Sequence, residues 1–189
     1  TCALPILRPS GRSGPAAISL EEFGRYFAAD GPAAIWERQA LVKARVVVGA
    51  KPAAALATQI VQRAAYERQW TADEVESIRA MRLRMEEGAK ATNLKRGPGG
   101  VVDIEFVAQM LQLVHGGANA TLRTPETLAG LVALHEAGHL EDEAFAFLRG
   151  AYLTLRAIEG RLRLLDAVDR HDFPSAPADQ RNQIGRAHV

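Results

Sequence analysis

The sequence predicts an all-α protein, an antiparallel bundle of about six to seven helices. Three observations carry that expectation. Apolar residues recur at spacings of three and four through almost every segment, and two capping boxes open such segments. No stretch alternates with a period of two over strand length, since Val46-Val47-Val48 is too short to decide anything.

The elements follow in order. Ser19-Leu20-Glu21-Glu22 is a capping box, with Phe23, Tyr26 and Phe27 behind it at helical spacing. Pro32 suits the first turn of a second helix, whose Ile35, Trp36, Leu41, Val42 and Val46 form an apolar stripe ending near Gly49. Pro52 opens an Ala-rich third helix through about Trp70. Thr71-Ala72-Asp73-Glu74, the second capping box, starts a charged helix through Glu87. A fifth helix runs from about Gly100 to His115, a sixth from Thr124-Pro125 to Gly138, and a long seventh from about Glu141 to Val168. Residues 171–183, with Pro174 and Pro177, read as a linker.

The two ends read differently from the rest. Thr1-Cys2-Ala3-Leu4-Pro5-Ile6 and Ile184-Gly185-Arg186-Ala187-His188-Val189 can be encoded by stretches that are reverse complements of each other apart from a one-base offset. Residues 1–6 and 184–189 are therefore expected to be translated sequencing adapter, and 7–183 a fragment cut at both ends. Without them the only cysteine is gone, which leaves no disulfide and no thiolate site. Lys+Arg falls from 23 to 22 with the loss of Arg186, against 22 Asp+Glu, so the net charge is zero. That balance argues against nucleic acid or a membrane surface as partner. No apolar run reaches the roughly 18 residues of a membrane span, and a cytoplasmic location is the expectation.

The most informative stretch is 93–112, N-L-K-R-G-P-G-G-V-V-D-I-E-F-V-A-Q-M-L-Q. A basic pair and a glycine-rich turn lead into a helix that is apolar almost all round yet carries Asp103, Glu105, Gln109 and Gln112. Burying such groups costs about 1–3 kcal/mol each unless they find partners. Gly97-Pro98-Gly99-Gly100 could cradle an anion at the helix N-terminus, but no G-K-[ST] follows and Asp103 already occupies the positive dipole end. A tight interhelix turn is the plainer reading. Glu105, Gln109 and Gln112 form one polar stripe, for which Arg38 and Arg45, two turns apart, are candidate partners. Either a buried Arg–Glu network fixes how two helices pack, or the same groups face a neighbouring catalytic domain. Arg79, Arg82 and Arg84 read as a solvated face paired with Glu86 and Glu87.

His135-Glu136-Ala137-Gly138-His139 matches H-E-x-x-H, the zinc-protease pattern, with Glu159 as a conceivable distant ligand. Both imidazoles would have to sit one turn apart on a continuous helix. Gly138 falls inside the motif and an acidic helix start follows, so His139 is expected beyond the helix end, with the histidines meeting the negative dipole.

Three separated motifs, L-R-P-S-G-R-S-G-P, W-E-R-Q-A-L-V-K-A-R-V-V and L-K-R-G-P-G-G-V-V-D-I-E-F-V-A-Q, in that order and spacing, resemble the bacterial bifunctional glutamine synthetase adenylyltransferase/deadenylylase family. The resemblance covers essentially all of 7–183. It implies two similar halves, each a nucleotidyltransferase domain followed by a helical bundle. One half transfers AMP from ATP, with Mg²⁺, to a tyrosine of glutamine synthetase; the other removes it by phosphorolysis, under control of PII protein and glutamine. It implies that 7–17 end the nucleotidyltransferase domain and that 18–170 are the bundle. The wording of the second and third motifs looks more like the C-terminal, adenylylating half.

The family's third metal-binding Asp would fall at position 4, which is Leu4 here, and the other carboxylates farther upstream; the fragment alone is expected to be inactive. Arg8 and Arg12 would lie near the nucleotide phosphates. Lys95, Gly97, Gly99, Gly100, Asp103, Glu105 and Gln109, with Arg38 and Arg45, would support the interface to the upstream catalytic domain. A non-catalytic interaction bundle and the zinc protease are the readings from other classes.

Overall fold

The structure, a computed structural model, describes residues 14–15, 17–90 and 92–164. Arg8, Arg12 and the stretches 1–6, 171–183 and 184–189 lie outside the described residues. Among those described there are seven α-helices and no strand: α1 (Leu20–Tyr26), α2 (Ile35–Ala40), α3 (Lys51–Tyr66), α4 (Ala72–Glu87), α5 (Val101–His115), α6 (Thr127–Glu136) and α7 (Asp142–Leu164). The all-α expectation holds. No helix among the described residues is long and apolar enough to cross a membrane.

The chain divides into two compact units, one of Thr1–Ile78 with Gln112–Glu126, the other of Arg79–Leu111 with Thr127–Val189. In the first, α3 packs against α1 and α2, over a core that includes Phe27, Leu41, Ala65 and Leu122. In the second, α6 packs along α7, and Leu94, Ile104, Leu131, Leu134 and Leu148 are buried.

Two helix starts lie at the capping boxes that the sequence shows. Ser19 and Glu22 close a reciprocal capping box on α1, the Glu22 N–H donating to Ser19 Oγ at 3.1 Å and the Ser19 N–H to Glu22 Oε2 at 3.2 Å. Thr71 and Glu74 do the same for α4. Burial raises the Glu74 carboxyl, but the Thr71 N–H and the Arg68 guanidinium outweigh it and hold the group below its ordinary value.

Two helix ends differ from expectation. The second helix does not reach Gly49: α2 passes into a 3₁₀ turn, Leu41–Lys43, and Ala44 is already extended at ψ 136°. The following valines are β-branched and exposed, Val48 by 89%, so neither propensity nor burial would prolong the helix. Pro32 lies before α2 rather than in its first turn. The third helix stops at Tyr66, not Trp70; Trp70 sits in the α3–α4 turn, its Nε1–H donating to Ala65 O at 3.0 Å beneath the Arg68 guanidinium. Tyr66 itself is buried, which pushes its hydroxyl up to about 12 despite Arg123 over its ring.

Candidate functional site

The polar groups flagged on the glycine segment resolve into a compact knot within the second unit. Asn93 starts it: its Oδ1 accepts from the N–H groups of Lys95 at 3.1 Å and Arg96 at 2.8 Å, which folds the chain back. The next carbonyls then cap α5. The N–H groups of Val101 and Val102 donate to Leu94 O and Lys95 O at 2.9 and 3.0 Å, those of Gly100 and Asp103 to Gly97 O and Gly100 O at 3.0 and 3.1 Å. A helix start leaves four amide donors without intrahelical acceptors, and here the loop fills them itself. The glycines serve this closure. Gly99 has φ +67°, and a Cβ on Gly100 would stand 2.8–2.9 Å from the carbonyl oxygens of Leu94, Lys95 and Gly97. With its amides spent on its own loop, the helix start has no free cradle for an anion, and the tight-turn reading prevails.

The knot is tied by a residue the sequence reading placed on a solvated face. Arg82 of α4 is 4% exposed, while Arg79 and Arg84 are exposed as expected. Its Nη2 donates to Arg96 O at 3.1 Å and Gly97 O at 3.2 Å and lies 3.4 Å from Glu86. Its Nε is 2.6 Å from Asp103 Oδ1, an ion pair off hydrogen-bond angle, and buried Nη1 has no hydrogen-bond partner among the described residues. Asp103 is as buried as the arginine, so the pair takes two charges out of water together. One signal could have found Arg82: it follows buried Ile78 by four residues, one helical turn along the same face.

The other candidates are placed as follows. Gly97, Gly99 and Gly100 are buried in the loop, Lys95 is half-buried, and Arg96 and Pro98 are exposed. Glu105 is half-buried and acts electrostatically on Tyr152 of α7, whose hydroxyl is raised first by burial, against a hydrogen bond with Thr127. Gln109 is buried; Gln112 donates through Nε2 to Leu122 O at 2.7 Å and Thr124 O at 2.9 Å, a tie internal to the first unit.

Arg38 and Arg45 do not share the helix that the two-turn spacing supposed. Arg45 lies past the 3₁₀ turn and is exposed. Arg38 is buried and donates to Phe27 O at 2.8 Å and Ala28 O at 2.6 Å, securing the end of α1, while Glu37 accepts from the Tyr26 hydroxyl at 2.7 Å. Burial, then the neighbouring Arg68, lowers the Arg38 guanidinium.

At the H-E-x-x-H segment, His135 lies in the last turn of α6 and His139 lies beyond it. Gly138 takes φ +77°, and the His139 N–H donates to Leu134 O at 2.8 Å, closing a Schellman-type end. His135 stacks on Phe145 at 4.3 Å with its Nε2 2.8 Å from Asp142 Oδ1. Glu159 is buried between Arg156 and Arg163 on its own helix. The two imidazoles therefore do not share a helical turn.

A family model described as glutamate-ammonia ligase adenylyltransferase matches residues 6–60, and one described as GlnD PII-uridylyltransferase matches residues 59–188. Curated relatives run across that junction in a single alignment. The bifunctional glutamine synthetase adenylyltransferase/adenylyl-removing enzyme of Xanthomonas oryzae pv. oryzae is 37% identical over 178 residues, 92% of this chain and 19% of the relative. The enzymes so named from Ralstonia nicotianae and Nitrosococcus oceani are 36% and 35% identical, over 92% and 90% of this chain and 21% and 18% of theirs. The chain belongs to this bifunctional adenylyltransferase/adenylyl-removing family. It spans about a fifth of the length of those relatives. Among the described residues, the Arg82–Asp103 ion pair has both side chains only 5% exposed and lies at the third motif of the resemblance.

Proposed function

We propose that this chain is the helical domain that follows a nucleotidyltransferase domain in a glutamine synthetase adenylyltransferase, in its C-terminal, adenylylating half. The intact enzyme would transfer AMP from ATP to a tyrosine of glutamine synthetase in the cytoplasm, with the other half removing it and PII protein setting the balance. The observation that carries the reading is the single alignment with adenylyltransferase relatives over 92% of the chain. The residues do not fit a Mg²⁺–ATP site of their own: no three His, Cys, Asp or Glu side chains converge among the described residues. In this reading metal and nucleotide belong to the nucleotidyltransferase domain, with Arg8 and Arg12 beside the phosphates and the 95–105 segment, including Lys95 and Glu105, against it.

The test uses a full-length protein carrying this stretch. Lys95→Ala and Glu105→Gln are expected to cut AMP transfer to glutamine synthetase at least about tenfold while the Tm moves by less than roughly 2 °C, since both side chains are only half-buried. Loss of activity in step with loss of folding would leave the segment a structural one. The family model matched at 59–188 favours a second reading, uridylylation of PII. Offering ATP or UTP with glutamine synthetase or PII separates the two, because UMP transfer to PII would displace the first.

A further inference from the structure

We infer that Arg82 is the positioning residue of the glycine loop, the side chain that fixes how Lys95 and Arg96 are presented. As regards catalysis, the inference rests on the reading above. The loop has no free backbone donors at the start of α5, because the amides of Gly100, Val101, Val102 and Asp103 are bound to carbonyls of 94–100. The charges the loop can offer are side chains, and the half-buried Lys95 and exposed Arg96 are its cations. Asn93 Oδ1 takes the N–H groups of both residues, and a side chain from outside the loop holds the carbonyl side: the Arg82 guanidinium meets the carbonyls of Arg96 and Gly97 through one nitrogen and the Asp103 carboxylate through another. Only a planar fork reaches loop and helix together; an ammonium keeps the charge but has a single nitrogen to place. Two ties act on consecutive loop residues, so losing them frees the segment that carries the cations while leaving Leu94 and Ile104 to hold the fold.

The experiment is Arg82→Lys and Asp103→Asn in the full-length protein, with hydrogen exchange of the peptide covering 93–102 read beside AMP-transfer kinetics. Arg82→Lys is expected to speed exchange at Gly97, Gly100, Val101 and Val102 about tenfold, with the amides of α6 and α7 unchanged. It should lower kcat for AMP transfer at least about tenfold with KM for ATP within about twofold, since the loop is mispositioned rather than removed from nucleotide binding. Asp103→Asn, which keeps both carbonyl ties, should show a smaller change in both readouts. Unchanged loop exchange in Arg82→Lys overturns the inference, whatever the activity. Faster exchange with unaltered AMP transfer upholds Arg82 as the loop's anchor and instead removes the loop from the catalytic centre, which is a failure of the functional reading. If Arg82→Lys does not fold, Asp103→Asn decides: faster exchange confined to 97–102 upholds the inference, and amides of α6 and α7 exchanging as fast as those at 97–102 would mean that the pair holds the whole domain rather than the loop.

Discussion

Two glycine turns drew attention in the sequence, one before α5 and one after α6, and they differ in where their charges go. At the first, Asp103 and Arg82 are both withdrawn from water and paired with one another, and Arg82 donates to the loop carbonyls. At the second, His135 is partly open, its partner Asp142 is fully exposed, and the turn is a helix end closed by its own backbone. A motif's resemblance to a catalytic pattern therefore says less than the burial of its charges. The H-E-x-x-H letters are the better-known pattern, yet the glycine loop bears the higher desolvation cost and so has the tighter constraint on its residues.

The largest expected effect tests that constraint directly. Asp103→Ala leaves the buried Arg82 cation with only the partly exposed Glu86 carboxylate, 3.4 Å away, which should cost about 3 kcal/mol, enough to lower the Tm by roughly 6–12 °C in a chain of this size. Replacing both, Arg82→Met with Asp103→Leu, should recover part of that loss in thermal or urea unfolding. The part not recovered reports the carbonyls of Arg96 and Gly97, left without their donor at about 1–3 kcal/mol. Full recovery would show the carbonyl ties to be idle and weaken the contrast between the two turns.

The next effect separates two reasons for being glycine. Gly100 has no positive φ, but a Cβ there meets three carbonyl oxygens at 2.8–2.9 Å, all backbone and none free to swing away. Gly138 has φ +77° and open space around it. Gly100→Ala should therefore cost about 1–3 kcal/mol through crowding, and Gly138→Ala only about 1 kcal/mol through backbone strain. Equal losses in chemical denaturation would mean that the loop yields to the methyl group and is less tightly tied than its hydrogen bonds suggest.

What the sequence disclosed follows the same division between local and distant causes. Helix starts were legible because a capping box closes within four residues, as at Ser19 with Glu22 and Thr71 with Glu74. Helix ends were not, because α2 and α3 stop where packing stops: the apolar stripe through Val46 continues on paper, but those valines meet no core. The family was legible from three motifs in order, and the glycine loop from its letters. Arg82 was hidden by its company, since Arg79 and Arg84 share its composition and differ only in the face they occupy. Partners for Glu105, Gln109 and Gln112 were sought on α2 because its arginines lie in a motif, whereas Arg38 is committed to the carbonyls of Phe27 and Ala28.

The smallest expected effect lies at the second turn, and a near-null result there carries the most discrimination. His135 contributes a stacking surface to Phe145 and a ring nitrogen to Asp142. His135→Ala removes both, and the stack is the larger share, about 0.5–1 kcal/mol, because an ion pair with an exposed carboxylate is screened by water. His135→Phe keeps an aromatic face and removes only the nitrogen. Its Tm should match that of the parent, and AMP transfer by the full-length protein should be unchanged. A drop in activity at constant Tm would make the imidazole nitrogen functional. It would also show that an exposed charge at a helix end can matter as much as a buried one, which is the point on which the two turns are here held apart. Paired with Glu105→Gln, whose carboxylate lies on the side of the contrast expected to affect transfer, the substitution asks whether burial or motif is the better guide to the chemistry of this chain.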